Sequence, residues 1–501
     1  MTSHRLAQGG LIDRSARLGF SFDGQHHEGH PGDTLASALL ANGIRLVGRS
    51  FKYHRPRGIL SAGSEEPNAL VELRTGGRHE PNTRATMVEL YDGLVARSQN
   101  RWPSLSFDSL GVVNSVLSPV FPAGFYYKTF MWPASFWEPV YERIIRRAAG
   151  LGTAAMETDP DRYERRHAFC DVLVVGGGPA GLSAALVAAE AGARVILCDE
   201  NDRFGGALLG EGELVEGRPV TEWVAERLAA LQGFGDRVTL VPRGTAFGLY
   251  DHGTVGLVER VADHLAEPPP HLPRQRFWTI RAAAIVVAAG AIEQPLVFPN
   301  NDRPGVMLAG AAHRYAHRFA VAPGKRMLVA GIDDGAARTA LALKRHGVEV
   351  VGLADSRTAL PGPLGEELRA AGIAVHAGST VRGAKGRLGV EGARIGRVDG
   401  KAVAIDCDAI AMSGGWMPTT HLLSQRGIRP KLDRTRGGFV LPDLDGPLLA
   451  AGACAGRAST EAAIADGLAV GLQASRFAKS HGANPKRVPP PLAGGGKGEG
   501  V

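Results

Sequence analysis

The sequence predicts an α/β protein of doubly wound parallel sheets, preceded by a small β-grasp module. A hydrophobic strand at 171–175 runs directly into a glycine-rich turn and an Ala-rich helix, as at the start of a parallel-sheet unit. A second strand and helix pair at 326–346 predicts another such unit. Two short strands and a helix at 18–42 predict the N-terminal β-grasp module.

Length and composition restrict the class of protein. The 501 residues are enough for about three domains. With 44% hydrophobic and 21% charged residues the chain is globular, which excludes collagen-like, disordered and coiled-coil proteins. Its 67 glycines are about twice the usual frequency. This excess favours a backbone that approaches ligands closely at several turns.

Charge and cysteine usage exclude further classes. The formal net charge is +7, but the charges are scattered and form no nucleic-acid motif. Charges interrupt the first 15 residues, and the glycine turn breaks the longest uncharged run, 172–189. We therefore expect a soluble, cytoplasmic protein with no membrane span and no nucleic-acid partner. Four widely spaced cysteines indicate reduced core residues and no metal site: Cys170, Cys198, Cys407 and Cys454.

The N-terminal module, 1–97, begins with two strands joined near Asp23-Gly24 and a helix capped by Asp33 or Thr34. Plant-type ferredoxins continue with a C-x4-C-x2-C loop that wraps an iron–sulfur cluster. The corresponding loop, 49–58, contains no cysteine. The sequence therefore predicts a 2Fe-2S-ferredoxin-like module that lacks the cluster cysteines.

A basic run occupies this same loop. It contains five cations and no acid: Arg45, Arg49, Lys52, Arg55 and Arg57. Such a run is either a solvated face or a contact for a flavin phosphate or an acidic neighbouring subunit.

The remaining chain divides into four parts. An aromatic, proline-rich connector spans 98–165 and is either packed over the surface or covered by another subunit. The dinucleotide-binding domain combines 166–310 with 411–480, and a second Rossmann-like domain spans 311–410. The tail, 481–501, is expected to be flexible because of its Gly and Pro content.

The glycine turn has the spacing and context of a dinucleotide site. Gly176 makes the turn, Gly178 lets the backbone approach a pyrophosphate, and Gly181 allows close helix–strand packing. The helix N-terminus supplies N–H donors to the phosphates. Asp199, at the end of the next strand, is placed to accept a hydrogen bond from a ribose hydroxyl. The predicted contacts of the turn also include Pro179 and Ala180.

Further segments extend this site into a two-dinucleotide-binding, flavoprotein-reductase-like layout. They predict cofactor contacts from the loop after the ribose-binding acid, the two crossings between domains and a late glycine motif: Glu200, Arg203, Gly205, Gly206, Ala289, Gly290, Gly415, Gly452 and Ala453. In such proteins the late motif is G-D-x-x-G, whose Asp binds the flavin ribityl chain. Here Ala453 replaces that Asp, which weakens FAD as the ligand and favours another dinucleotide with an ADP half.

The second glycine turn, Gly331 to Gly335, predicts a poor nucleotide site. Asp333 and Asp334 stand where a pyrophosphate would meet the helix start, and their charge would repel it.

Four N-terminal segments identify a family. Residues 5–14, 32–42, 47–60 and 62–71 resemble the alpha subunit of heterotetrameric sarcosine oxidase, and the similarity runs from residue 5 to about 480. The resemblance implies that the chain carries NAD and contributes to an FMN site at the interface with a beta-type subunit, which holds FAD and covalent FMN. It also implies small gamma and delta subunits.

The resemblance implies oxidation of sarcosine with oxygen and tetrahydrofolate to glycine, hydrogen peroxide and methylenetetrahydrofolate. The family's alpha subunit continues as an aminomethyltransferase-like folate domain, which this sequence lacks, so we expect either a fragment or folate chemistry that is supplied elsewhere or absent. No nucleophile–base set or paired carboxylate motif is recognisable, and no catalytic residue is assigned.

Two alternatives remain at this point. The first is the large subunit of a dye-linked amine, proline, opine or cyanide-forming dehydrogenase, which shares the fold and keeps FAD. The second is a non-catalytic, dinucleotide-bound scaffold.

Overall fold

The computed structural model describes residues 4–51, 53–112, 132–148, 150–211, 214–360, 362–397, 399–434 and 438–481. Lys52 of the basic run, the middle of the aromatic connector and nearly all of the predicted tail lie outside the described residues.

The N-terminal module is a five-stranded sheet with one helix packed on it. Its elements are β1 (Leu18–Phe22), β2 (Gln25–Gly29), α1 (Leu35–Ala41), β3 (Gly48–Arg49), β4 (Pro56–Arg57), β5 (Leu70–Leu73), β6 (Glu80–Arg84) and β7 (Leu94–Ser98). The strand order is β2-β1-β7-β5-β6, with β1 and β7 parallel. Asp23 and Gly24 turn the chain between β1 and β2 at φ of 51° and 81°. The predicted strand, strand and helix opening is confirmed.

A reciprocal cap fixes the start of α1. The Ser37 backbone N–H donates to Thr34 Oγ1 at 3.2 Å, and the Thr34 N–H donates to Ser37 Oγ at 2.9 Å. All seven residues of α1 are buried, so the helix forms the centre of the module's core.

The first dinucleotide unit follows the connector, whose last helix is α2 (Glu142–Ala148). Its elements are β8 (Tyr163–Val175), α3 (Pro179–Glu190), β9 (Val195–Cys198), α4 (Leu208–Glu211), β10 (Leu214–Val215), β11 (Arg218–Pro219), α5 (Val220–Gln232), β12 (Val238–Val241), β13 (Gly244–Leu249), β14 (Thr254–Glu259) and β15 (Gln275–Val287). Six of these strands form the main sheet, in the order β12-β9-β8-β15-β14-β13, whereas β10 and β11 pair only with each other.

Strand β8 is eight residues longer than the hydrophobic pattern predicts. The pattern marks only 171–175, whereas the strand begins at Tyr163, because its polar first half pairs residue by residue with β15. Helix α3 begins at Pro179, since Gly178 is its N-cap and proline suits the first helical position.

The second unit is entered and left through two antiparallel crossing strands. After the crossing strand β16 (Ala291–Glu293) it comprises β17 (Val306–Leu308), α6 (Ala309–Phe319), β18 (Arg326–Gly331), α7 (Asp334–Arg345), β19 (Glu349–Asp355), α8 (Leu364–Ala370), β20 (Val375–Ala377), β21 (Thr380–Lys385), β22 (Gly392–Gly396), β23 (Val403–Ile405) and β24 (Ala409–Ser413). Its parallel sheet has the order β17-β24-β18-β19-β20, and β21 to β23 form a separate antiparallel sheet.

The chain then returns to the first unit. The returning elements are β25 (Trp416–Pro418), which pairs with β16, then α9 (His421–Ser424), β26 (Lys431–Asp433), β27 (Gly438–Val440), β28 (Leu448–Ala450) and α10 (Thr460–His481). Strand β28 pairs with β15, and α10 packs on α3. The first unit is therefore built from two separate stretches of chain.

The N-terminal module shares its core with the second unit. Phe20 and Leu35 belong to the same buried cluster as Tyr315 and Phe319 of α6. Ion pairs surround this contact: Arg45 with Asp408 at 2.9 Å, and Arg55 and Arg57 with Asp302 at 2.6 and 2.7 Å. Three cations of the basic run therefore form ion pairs within the chain. These pairs count against both expectations for the run, that it is a solvated face and that it contacts a flavin phosphate. Among the described residues no helix is long and apolar enough to cross a bilayer.

Candidate dinucleotide site

The glycine turn joins β8 to α3 at the carboxyl end of the sheet. Gly176 has φ of 106°, which favours glycine, and a side chain at Gly181 would collide with the Gly176 carbonyl. At Gly178 an added Cβ would meet only the Gly206 Cα, at 4.0 Å. The backbone is therefore open at Gly178, the position where a pyrophosphate is expected. Glycine is required by the fold at Gly176 and Gly181.

The segment after β9 folds back over the turn. The Gly205 N–H donates to the Gly177 carbonyl at 2.8 Å, and a Cβ on Gly206 would lie 2.9 Å from the Gly178 Cα. Phe204 packs so closely on Gly177 that a side chain there would overlap its ring. Arg203, predicted as a cofactor contact, instead approaches the Leu11 carbonyl at 3.3 Å and is half exposed.

Asp199 lies at the end of β9, as predicted, and is 7% exposed. Its Oδ2 accepts from the Gly177 N–H at 2.6 Å, and its Oδ1 accepts from the backbone and side chain of Asn201 at 2.8 and 2.9 Å. Burial raises the pKa of the Asp199 carboxyl, although these donors oppose that shift. Each carboxylate oxygen has more than one acceptor position, so the group can also accept from a ribose hydroxyl.

Glu200 has a different surrounding from the one predicted. Its Oε1 accepts from Ser64 Oγ at 2.7 Å, and its carbonyl accepts from Arg260 at 2.8 Å. Burial raises the pKa of the Glu200 carboxyl. Glu200 therefore ties the N-terminal module to the loop after β9. Ser64 lies in one of the segments that carry the family resemblance, but nothing in that segment indicates a contact with Glu200.

The late glycine motif meets the start of α3. A Cβ on Gly452 would lie 2.6 Å from Ala180 Cβ, and the half-buried Ala453 follows directly. The Gly452 N–H donates to Asp466 Oδ2 at 2.8 Å. Asp466 is in α10, thirteen residues beyond Ala453, and was missed because a single acid in an amphipathic helix is not distinctive.

The two domain crossings differ in their distance from the glycine turn. The Ala288 N–H donates to the Val175 carbonyl at 2.7 Å, which brings the half-buried Ala289 and Gly290 to the end of β8. Gly415 is placed elsewhere: a Cβ there would meet only Ile332 and Asp333 of the second unit, at 3.6 and 4.0 Å. Gly415 therefore does not adjoin the first glycine turn, because its crossing strand leaves from the end of β24.

The second glycine turn is already occupied by its own acid. Asp333 Oδ1 accepts from the Gly335 and Ala336 N–H groups at 3.0 and 3.4 Å, and it caps α7. Because the cap uses the donors that a pyrophosphate would need, this turn is a poor nucleotide site, as the sequence predicts.

The loop that holds the cluster in ferredoxins is fixed by side chains. Asp108 is fully buried and lies 3.0 Å from His54 Nδ1 and 4.0 Å from Arg49 Nε, and Arg49 also donates to the Leu105 carbonyl. No thiol lies between residues 15 and 101, so the donor set does not fit an iron–sulfur cluster. No group of metal-ligating side chains occurs within the part of the chain that the structure describes.

All four cysteines are buried within the two dinucleotide units. Burial raises the pKa of Cys198, Cys407 and Cys454 to about 12, so these thiols are protonated at neutral pH and are not nucleophiles.

Two family models match the chain. Residues 170–467 match the pyridine nucleotide-disulphide oxidoreductase model, and residues 15–101 match the 2Fe-2S iron–sulfur cluster binding domain model, although the cluster cysteines are missing. The predicted fold class is confirmed. The pyridine nucleotide-disulphide oxidoreductase match also implies a dinucleotide cofactor.

Relatives of known function cover nearly all of the chain. The sarcosine oxidase alpha subunit of Rhizobium meliloti (strain 1021) is 50% identical over 469 residues, which are 94% of this chain and 47% of that protein. Its counterpart in Corynebacterium sp. (strain P-1) is 36% identical over 490 residues, covering 95% and 46%. The predicted resemblance is confirmed, and the chain spans about half the length of these relatives.

Two further similarities are more distant. One of the opine oxidase subunits of Rhizobium meliloti is 34% identical over 173 residues, which are 32% of this chain and 31% of that protein. L-proline dehydrogenase of P. horikoshii superposes with a TM-score of 0.61 at 20% identity, covering 92% of this chain and 73% of that structure. At that identity the superposition supports the fold alone.

Proposed function

Since the chain belongs to the pyridine nucleotide-disulphide oxidoreductase family, we propose that it is the NAD-binding, alpha-type part of a sarcosine oxidase complex. The observation that carries the proposal is the open backbone at Gly178 beside Asp199, with Ala453 in place of a carboxylate. The relatives in Rhizobium and Corynebacterium support the same assignment.

The residues of the site suit the ADP half of a dinucleotide. The N–H groups at the start of α3, at Ala180 and Gly181, and the positive end of that helix would hold the pyrophosphate above Gly178. Asp199 would accept from the ribose hydroxyls, and its bond to Gly177 keeps the turn in shape for the phosphates. A bound pyridine nucleotide supplies the capacity to accept or donate a hydride. The chain's own residues bind and orient it.

Amine oxidation is assigned to a partner. A dehydrogenating flavin needs a substrate pocket and a group that accepts the amine proton, and the carboxylates at the glycine turn, Asp199 and Glu200, already accept from donors of the chain itself. We therefore place sarcosine oxidation, with oxygen as acceptor, on a flavin-carrying beta-type subunit, with FMN at its interface with this chain. Gamma and delta subunits and folate-dependent capture of the product complete the proposed reaction.

One specific observation supports a second candidate, the FAD-containing large subunit of a dehydrogenase. The chain is similar to part of opine oxidase, and Asp466 brings a carboxylate to Gly452, next to Ala453. Against this candidate, Asp466 already accepts from the Gly452 N–H and is part of α10. NAD therefore remains the preferred ligand.

The test is to denature the purified protein, identify the released nucleotide by mass, and assay peroxide formation with sarcosine. We expect NAD, no turnover by the isolated chain, and turnover after co-expression with a beta-type subunit. Release of FAD would favour the dehydrogenase candidate. Peroxide formation by the isolated chain would overturn the assignment of oxidation to a partner. If the co-expressed complex forms no peroxide, the result would favour a non-catalytic scaffold.

A further inference from the structure

A sheet face of the first unit carries five exposed aromatic rings. Strands β13, β14, β15 and the first half of β8 extend the sheet beyond its central parallel part. The rings stand on one face, which we call the aromatic face: Tyr163 (55% exposed), Phe169 (53%), Phe247 (40%), Tyr250 (53%) and Phe277 (42%). Large apolar side chains grouped on one surface mark interaction sites more often than scattered ones do.

The aromatic face is a built surface. The rings of Phe247 and Phe277 lie 5.6 Å apart, and the Phe247 ring lies over Gly256, where a side chain would overlap it. The Tyr250 ring covers Gly248 in the same way. The glycines leave room for the rings to lie against the sheet. The rings are therefore held in place by packing, although solvent reaches them.

The same face carries three exposed cationic or titratable side chains. Arg165 is paired in register with Phe277, and Arg281 with Phe169, while His167 lies between them on β8. These three side chains are exposed, and Asp171, which alternation places on the same face of β8 two positions beyond Phe169, is paired with Arg194 at 2.9 Å.

The other acids of these strands lie on the opposite face or at the border. Glu164 and Glu259 both bind Arg276 on the opposite face, at 2.8 and 2.9 Å. At the border, Asp159 accepts from the Tyr163 hydroxyl and Asp251 pairs with Arg426. The aromatic face is therefore complementary to a surface that offers carboxylates.

The edge of β8 adds a second sign of a protein neighbour. Strand β9 pairs only with Val172–Val175, so the first half of β8 has a neighbouring strand on its β15 side alone within the described residues. Edge strands with charged residues resist unspecific pairing and accept a matched partner.

We propose that the aromatic face docks a protein subunit whose surface is apolar at its centre and flanked by carboxylates. A second copy of this chain is disfavoured, because two facing copies would bring Arg165 and Arg281 against like charges. The surface is also an open sheet face of four strands, which suits a protein rather than a small ligand. The inference rests on the proposed function in one respect, since the partner used in the test is the flavin-carrying beta-type subunit.

The experiment compares two charge-reversal pairs in the full chain co-expressed with that subunit. The first pair, Arg165→Glu with Arg281→Glu, alters the aromatic face, and the second, Arg338→Glu with Arg369→Glu, alters exposed helix positions of the second unit by the same charge. We expect the first pair to weaken the complex by about tenfold or more in analytical ultracentrifugation, and the second to have almost no effect. Phe169→Ser should also weaken it.

Three further readouts decide between outcomes. NAD retention by each variant shows that the fold persists, and backbone amides of 163–169 should gain protection from hydrogen exchange in the complex. If both charge-reversal variants bind the subunit with equal affinity, or if the amides of 163–169 gain no protection in the complex, the docking assignment is overturned. The proposed function would remain. Failure of the unaltered chain to form any complex would overturn both. Binding to phosphatidylserine vesicles, or self-association, that only the first pair abolishes would also overturn the assignment, in favour of a lipid surface or a second copy.

Discussion

The Asp199 carboxylate accepts from the Gly177 backbone N–H at 2.6 Å, so the acid at the end of β9 also closes the glycine turn. One side chain thus links the ribose end of the site to its phosphate end. In the proposed site Asp199 would therefore have two functions, as an acceptor for the nucleotide and as a support for the loop that would meet the pyrophosphate.

We expect Asp199→Ala to weaken nucleotide binding by about 10- to 150-fold, because a charge-assisted hydrogen bond is worth roughly 1.5–3 kcal/mol. Isothermal titration with NAD measures the change. Asp443→Ala, an exposed acid on a loop, serves as the control and should bind NAD as the unaltered chain does. Equal affinity in both variants would show that the site lies elsewhere.

Substitutions at Gly178 and Gly181 are expected to change different properties of the protein, nucleotide binding in the first case and stability in the second. A Cβ at Gly178 meets nothing nearer than 4.0 Å, so Gly178→Ala should keep the melting temperature while NAD binding falls by at least about tenfold. Gly178→Val should bind less still. Gly181→Ala should instead lower the melting temperature, because its methyl group would meet the Gly176 carbonyl. Normal NAD binding by Gly178→Val would contradict the pyrophosphate assignment.

The purified protein should contain no stoichiometric iron or acid-labile sulfide. The physical reason is the donor set, since the ferredoxin-like module has no thiolate within 15–101. Iron and sulfide analysis after expression with iron supplementation measures this directly. Two irons per chain would contradict the prediction and would require a ligand set unlike that of ferredoxins.

Asp108→Ala should destabilise the N-terminal module by about 3 kcal/mol, because it leaves the buried Arg49 and His54 without their shared carboxylate. Urea unfolding of the full chain measures the loss, with the exposed Asp236→Ala as control. Asp108→Asn should restore part of the stability through its amide oxygen. An unaffected Asp108→Ala variant would mean that other contacts hold the loop.

Three histidines between α6 and α7 should make the stability depend on pH. Burial, with His317, His346 and nearby arginines, lowers the pKa of His313 to about 4. The rings lie 5.4 to 6.1 Å apart. Because the unfolded chain keeps a pKa near 6.5, it binds more protons than the folded chain between these values. The free energy of unfolding should therefore fall as the pH drops from about 6.5 to about 4.

The size of this loss is on the order of 3 kcal/mol for His313, at 1.36 kcal/mol per pKa unit. His313→Gln should flatten the decline in urea unfolding measured at a series of pH values, whereas the exposed His26→Gln should leave it unchanged. Parallel pH profiles for the unaltered chain and His313→Gln would contradict the prediction.

The sequence predicts the parts of the site that local chemistry controls. The glycine spacing and the acid at Asp199 follow from backbone conformation and strand ends, and the structure brings them together. Contacts between distant segments leave no such pattern. Ser64 meets Glu200 across 136 residues, and Asp466 reaches Gly452 from a helix whose sequence is ordinary.

The errors have physical causes as well. The first half of β8 reads as polar because many of its side chains face solvent or the arginines of β15, so the hydrophobic pattern marks only the buried half. Gly415 stays a predicted cofactor contact, but it lies beside Ile332 and Asp333 of the second unit, because its crossing strand begins at the end of β24. The basic run is typical of a contact with a partner, yet three of its five cations pair with Asp302 and Asp408 of the same chain.

The return of the chain to its first unit has a consequence for synthesis on the ribosome. Helix α10 packs on α3 so closely that side chains at Gly467 and Gly471 would collide with the backbone at Ala180 and Ala184. The start of α3 is thus sealed by residues made almost three hundred positions later. A nascent chain stalled before α10 would contain the entire glycine turn but would lack the helix that packs on α3. NAD capture should therefore come as a late event of translation, after the second unit has emerged and folded.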